Sequence, residues 1–162
     1  MGKEELERIK QIFSRLDLHP TYLEHEAVIT SEDAAKARGI SLKQGVKALL
    51  FTDGQNNWII VDVPADQKVD QKKVANQLGW SKGKIRMATH EEVIEKTGCE
   101  IGAVPSFGHK TKIPTLVDTT VYNNEESTFN IGLRTNSVKI NTKELKIVLE
   151  AQNALEGDFI KI

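Results

Sequence analysis

Apolar positions recur at helical spacing from the start of the chain. In EELERIKQIFSRL (residues 4–16), Leu6, Ile9, Phe13 and Leu16 share one face and charges fill the other, which predicts an amphipathic helix. YLEHEAV (22–28) then predicts a short strand. Thr30 stands before SEDAAKARG, with Asp33 three residues on and Gly39 past the end; these predict a second helix with a capping box and a glycine stop. The apolar runs VKALLFT and WIIVDV flank Asp53-Gly54-Gln55-Asn56-Asn57 and predict a hairpin with a long loop. DQKKVANQLG predicts a helix capped by Asp70, and Thr89 with Glu92 a capping box for another short helix. Further on, IPTLVD and SVKI predict strands. Thr142 is expected to cap a last helix, KELKIVLEA, with Leu145, Val148 and Leu149 on its inner face, and DFIKI to add a terminal strand.

Strands and helices mix without strict alternation, which argues against a doubly wound parallel sheet. The expectation is an α+β fold in which a mixed, curled, partly barrel-like sheet is flanked by helices. A chain of 162 residues suits one domain, spanning 1–162, and is long enough to bury roughly two-thirds of its unfolded surface. No internal repeat, low-complexity tract or linker interrupts it.

Composition narrows the function classes. Apolar residues make up 39% and charged residues 28% of the chain, the balance of an ordinary globular protein. A net charge of −1 argues against long tracts of nucleic-acid contact but leaves room for a local basic patch. Cys99 is the only cysteine, so no intrachain disulfide can form and a reducing, cytoplasmic setting is expected. The start, MGKEELERIKQIF, has no signal-peptide core, and no run of about eighteen apolar residues exists, so no membrane association is expected.

Several chemistries lack their residues. His19, His25, His90 and His109 are scattered, with no i+4 partner or cysteine pair, so no metal is expected. Cys99 has Glu100 beside it, an acidic neighbour that raises a thiol pKa and disfavours a nucleophile. Ser106 is not in a Gly-x-Ser-x-Gly elbow. No glycine-rich phosphate loop is present, and no cofactor is expected.

Two features remain. The first is CEIGAVPSFGH (99–109), a stiff, glycine-punctuated loop whose backbone amides could bind an oxyanion or serve only as a rigid turn. The second is Lys47 inside VKALLF, which must snorkel, pair, face a cavity, or point to water from an edge strand.

The order of these pieces resembles the YbaK/prolyl-tRNA-synthetase-associated family of aminoacyl-tRNA deacylases. The similarity runs from about Ser31 to Leu149. SEDAAKARGISLKQGVKALLF resembles that family's helix and lysine-bearing strand, VDVPADQKVDQKKVANQLG the segment that follows, and TGCEIGAVPSFGH its glycine-rich loop. IPTLVD, with Asp118, resembles the next strand, and NIGLRTNSVKINTKEL the late glycine turn, strand and helix. One departure stands out: Ser106 occupies a position where the family often has a second proline.

The resemblance implies hydrolysis, in trans, of the ester of a small mischarged amino acid (the Ala, Ser, Thr and Cys class) at the 3′ end of a tRNA. It implies catalytic roles for Lys47 and Gly102. It implies substrate contacts from Thr30, Ala103, Val104, Pro105, Ser106, Phe107 and Gly108, and from Asp118, Asn130 and Gly132. Amides around Gly102 and Ala103 would donate to the oxyanion, Lys47 would anchor the substrate, and the neighbouring ribose hydroxyl would help the attacking water. Ala103, Val104 and Phe107 would wall the amino-acid pocket. Lys72, Lys73, Lys82, Lys84, Arg86, Lys110 and Lys112 are expected to offer phosphate contacts to the tRNA acceptor end. An aminoacyl-tRNA synthetase is a further expected partner. The alternative is a non-catalytic module of the same fold that senses an aminoacyl end or a free amino acid.

Overall fold

The computed structural model describes residues 1–162. Helix α1 (Lys3–Arg15) carries the amphipathic pattern: Ile9 and Phe13 are buried, with Leu6 and Leu16 packed beside them. Strand β1 (Thr21–Glu24) is shorter than YLEHEAV suggested, and the chain leaves the sheet before His25. Helix α2 is Ser31–Arg38. The Asp33 N–H donates to the Thr30 hydroxyl at 3.1 Å. The return bond of a full capping box is absent, because the aspartate side chain is a methylene shorter than the Glu or Gln that makes it. Gly39 closes the helix in the left-handed region at φ 69°.

A short 3₁₀ turn (Leu42–Gln44) leads into β2 (Val46–Thr52), which pairs antiparallel with β3 (Trp58–Pro64) as the hairpin pattern predicts. Helix α3 (Gln71–Leu78) begins on the Asp70 cap, and α4 (His90–Thr97) begins on a complete Thr89–Glu92 capping box. Strand β4 (Arg86–Met87) pairs with β2. Strand β5 (Thr115–Asp118) runs parallel to β3 and is followed by a second 3₁₀ turn (Thr119–Asn123). Strand β6 (Glu126–Asn130) was not expected, since ESTFN carries one large apolar residue and no alternation; it pairs with β7 (Asn136–Asn141). Helix α5 (Thr142–Ala151) is capped by Asn141, not Thr142, whose hydroxyl is instead bonded to Ser127 Oγ at 2.7 Å. The last strand, β8 (Leu155–Gly157), lies upstream of DFIKI, of which only Ile160 bridges to Val69.

The strands form two sheets, β1-β7-β6 and β4-β2-β3-β5-β8, joined by a Gly45–Thr128 bridge. They do not close, so the partly barrel-like expectation is corrected to a mixed α+β fold with two open sheets. The five-stranded sheet is buried on both faces. One side, with Phe51, Ile59, Val61 and Val63, packs on Val74 and Ala75 of α3. The other, with Leu50 and Ile60, packs on Val93 of α4 and the apolar residues Ile101 and Val104 of the glycine-rich loop. That arrangement explains why WIIV, at the start of β3, is a continuous apolar run. The largest core joins α1, α5 and the three-stranded sheet around Phe13, Phe107 and Phe129.

Candidate active site

A cleft of about 180 Å³ opens where α2 and its lead-in, the start of β2 and the glycine-rich loop meet. Local rules build its walls. The Thr30 cap starts α2 at the rim, Gly39 turns the chain back, and the Ser41–Gln44 capping box delivers it to β2. Lys47, second in that strand, therefore lines the cleft. Val28 and Ile29 form one wall, and Ile101, Gly102 and Val104 another.

The electrostatics are cationic. Lys47 is half-buried and makes no hydrogen bond or ion pair. Burial lowers its pKa from the usual lysine range, while the charges of Asp66 and Glu32 work the other way. Arg38, on the buried face of α2 with Ala34 and Ala35, also lines the cleft. Its Nε–H donates to Ser137 Oγ at 2.9 Å, Nη1 to Thr128 Oγ1 at 3.2 Å and Nη2 to Asn130 Oδ1 at 2.6 Å. Burial pulls its pKa down to about 10. No carboxylate and no imidazole lines the cleft.

The glycine-rich loop is held from several sides. Arg134 donates to the Ile101 carbonyl at 2.9 and 2.6 Å and pairs with Glu100 at 2.9 Å. The Ala103 carbonyl accepts from the Gly132 N–H at 3.0 Å. The His109 Nε2–H donates to the Pro105 carbonyl at 2.7 Å, and burial lowers the His109 pKa to about 4, keeping the ring neutral. Gly102 has φ 85°, and a Cβ there would meet the Ile29 carbonyl oxygen at 3.2 Å. The Gly102 and Val104 N–H groups bond to nothing within the protein. The Ala103 N–H, by contrast, is spent on the Glu100 carbonyl at 3.0 Å. A free amide pair on a held loop beside a cation is suited to stabilise a developing oxyanion.

Of the residues singled out from the sequence, Lys47, Gly102, Val104, Thr30 and Asn130 come together in the cleft. The others do not line it. Phe107 is edge-on to Phe13 and Phe129 at ring separations of 5.5 and 5.7 Å, deep in the core. Ala103, Pro105 and Ser106 are buried behind the cleft wall, and the Ser106 hydroxyl has no hydrogen-bond partner. Gly108 packs on Ile9 of α1. Gly132 packs on the start of α1 at φ 114°. Asp118 accepts from the Phe159 N–H at 2.8 Å and caps the second 3₁₀ turn through Thr120, which is a structural duty. Among the basic residues, Lys73 is tied to Asp158 and Arg86 to Glu92, whereas Lys72, Lys82, Lys84, Lys110 and Lys112 are exposed without ion pairs. Cys99 is buried, its thiol pushed up to about 12 by burial and by Glu5; Glu100 beside it has turned to Arg134.

Two arginines escaped the sequence reading. Arg38 could have been found, because positions 34, 35 and 38 share one helical face and the first two are alanines. Arg134, in a loop, offers no such spacing.

This fold and cleft define an aminoacyl-tRNA hydrolase of the editing class. The chain belongs to the aminoacyl-tRNA editing domain family, which residues 25–147 match. It is 33% identical over 124 residues to the multifunctional Ser/Thr-tRNA deacylase ProXp-y of Escherichia coli K12, covering 74% of this chain and 73% of that one. It is 32% identical over 116 residues to the uncharacterized protein YwhH of Bacillus subtilis, covering 72% of each. A crystal structure described as a trans-editing enzyme for prolyl tRNA synthetase superposes with a TM-score of 0.82 at 28% identity, covering 98% of both chains.

Proposed function

We propose that this protein hydrolyses, in trans, the ester linking a small mischarged amino acid to the terminal ribose of a tRNA. The observation that carries the reading is the pairing of the unpartnered Lys47 with the free Gly102 and Val104 amides in one cleft that contains no general base. Lys47 holds a phosphate or the ester carbonyl of the substrate. The Gly102 and Val104 amides receive the oxyanion as water attacks, and one such donor is typically worth about 3 kcal/mol of barrier. With no carboxylate or imidazole to take a proton, the ribose hydroxyl next to the ester orients the water. The apolar walls suit small side chains, and the relative that acts on Ser/Thr-tRNA makes hydroxyl-bearing amino acids the favoured members of the Ala, Ser, Thr and Cys class.

Editing meets a physical need. A synthetase pocket gains only about 1–3 kcal/mol per methylene, so small amino acids escape it and require a second sieve. We assign the work to residues 1–162 as one domain, since α1, ahead of the matched segment, supplies Ile9, Ile12 and Phe13 to the main core. Its partners are the tRNA acceptor end and, given the trans-editing neighbour, a synthetase; its place is the cytoplasm with the translation machinery. No helix is long and apolar enough to cross a membrane.

The test is deacylation of tRNAs mischarged with Ala, Ser, Thr and Cys, each with a normal or a 2′-deoxy terminal adenosine. The expected result is turnover of at least one normal substrate and a loss of at least about a hundred-fold with the deoxy end. Binding of the charged tRNAs without turnover would instead make the protein a sensing module.

A further inference from the structure

We propose that Arg38 is the residue by which the cleft selects amino acids bearing a side-chain hydroxyl. The inference rests on the deacylase reading above and deepens it. Arg38 is only 8% exposed, yet it faces no carboxylate; its partners are the neutral oxygens of Ser137, Thr128 and Asn130. Those bonds use three of the N–H groups. A guanidinium has five, so one remains on each terminal nitrogen.

The group is also aimed. Ser137 Oγ accepts from Arg38 Nε–H and sends its own proton to His25 Nε2 at 2.7 Å, which leaves His25 Nδ1–H to donate to the Glu26 carbonyl at 2.8 Å. This chain assigns the His25 tautomer and ties the Arg38 Nε edge of the guanidinium to β7. Around it the cleft is lined by Val28, Ala34, Ala35 and Val46, which offer no acceptor from their side chains, while Thr30, with its hydroxyl on the Asp33 N–H, and Ser31 line it from the start of α2.

Two spare donors in this cleft are available to an acceptor on the ligand. The α-ammonium of an aminoacyl ester is repelled by Arg38 and Lys47 alike, and the ester carbonyl is taken by the loop amides. The side chain remains. A methyl or ethyl group there would strip water from the spare N–H groups and give nothing back, whereas a hydroxyl oxygen accepts from them. Sites that hydrogen-bond a substrate hydroxyl reject the analogue lacking it far more strongly than apolar pockets reject a missing methylene.

The experiment compares threonyl and 2-aminobutyryl amides of 3′-amino-3′-deoxyadenosine, which differ only by that hydroxyl and cannot be hydrolysed. Calorimetry on the wild-type protein should show the threonyl amide binding at least about ten-fold more tightly. In Arg38→Met the two should bind within about two-fold of each other. Arg38→Lys, which keeps a cation against Ser137 and Thr128, should also lose most of the preference, because one ammonium cannot hold both strands and the ligand. A merely structural arginine, or one that holds the carbonyl, would weaken both amides equally and leave the ratio intact, and one that holds a phosphate, which these probes lack, would leave both affinities unchanged; each of these results overturns the proposal, as does a wild-type ratio near one. If both variants fail to fold, a wild-type crystal structure with the threonyl amide decides: a hydroxyl oxygen within about 3.2 Å of the Arg38 terminal nitrogens supports the assignment, and any other placement overturns it. Should no charged tRNA be turned over while the Arg38-dependent preference persists, the deacylase reading falls and this one stands.

Discussion

A lysine inside VKALLF is costly to keep half-buried without a partner, and Lys47 has none. If it holds the acceptor end, Lys47→Ala removes a charge-assisted contact of roughly 1.5–3 kcal/mol, so deacylation should slow by ten-fold to a hundred-fold. Melting temperature should change little or rise. Lys47→Arg should not restore the rate, since a planar fork does not replace a compact ammonium. Turnover and melting measured together decide the matter, and unchanged turnover in both variants would remove Lys47 from the site. His109 makes a prediction of a different kind. Its pKa is 6.5 in an ordinary setting and about 4 in the folded protein. Between those values the unfolded chain binds more protons, so stability should fall as pH drops through this window, by on the order of 3 kcal/mol in all. Asp62 is buried without a partner and its pKa is raised, so its contribution runs the other way, being lost as pH rises. The His109 share is therefore read as the difference between wild type and His109→Gln in urea melts from pH 4 to 7. Parallel curves would show that the buried ring does not titrate as described.

At the scale of the element, the glycine-rich loop is a held one, tied by Arg134 and Gly132. Gly102 needs its missing side chain twice: its φ of 85° disfavours any L side chain, and the Ile29 carbonyl lies 3.2 Å from where a Cβ would sit. Gly102→Val should push the loop off the Val28–Ile29 wall, misplace the two free amides and abolish turnover. The stability loss should stay local, at roughly 1–2 kcal/mol for the backbone conformation. Wild-type turnover in the valine variant would reduce the loop to a turn. The clamp by Arg134 and the Gly132–Ala103 bond explain how late-chain residues shape this element without lining the cleft.

For the whole molecule, charge sets the terms of tRNA binding. The chain carries a net charge of −1, and Lys73 and Arg86 are already tied to acidic neighbours. Binding should be weak, with only a few phosphate contacts and a log–log salt slope shallower than about −6. Fluorescence anisotropy across a salt series tests this, and a steeper slope would mean a far larger footprint. Because no three His, Cys, Asp or Glu side chains gather at one point, deacylation should also persist in EDTA. Loss of turnover with chelator, restored by zinc, would contradict that expectation.

The elements legible in the sequence were those whose bonds close within a few residues. The Asp70 cap, the Thr89–Glu92 box, Gly39 and the β2–β3 hairpin each satisfy their own backbone groups locally, so residue type and spacing sufficed. The family was legible for a related reason, since Lys47, the loop glycines and the late glycine turn stand in a recognisable order. Tertiary structure alone decided what depends on distant partners. Strand β6 exists because β7 pairs with it, and β1 finds β7 through Thr21–Lys139 across most of the chain. Phe107 left the pocket for Phe13 and Phe129, and Asp118 turned to the Phe159 amide. Arg38 gained its place from Ser137, 99 residues away. Local hydrogen bonds are written into spacing; a buried charge is placed only when the strands that satisfy it have come together.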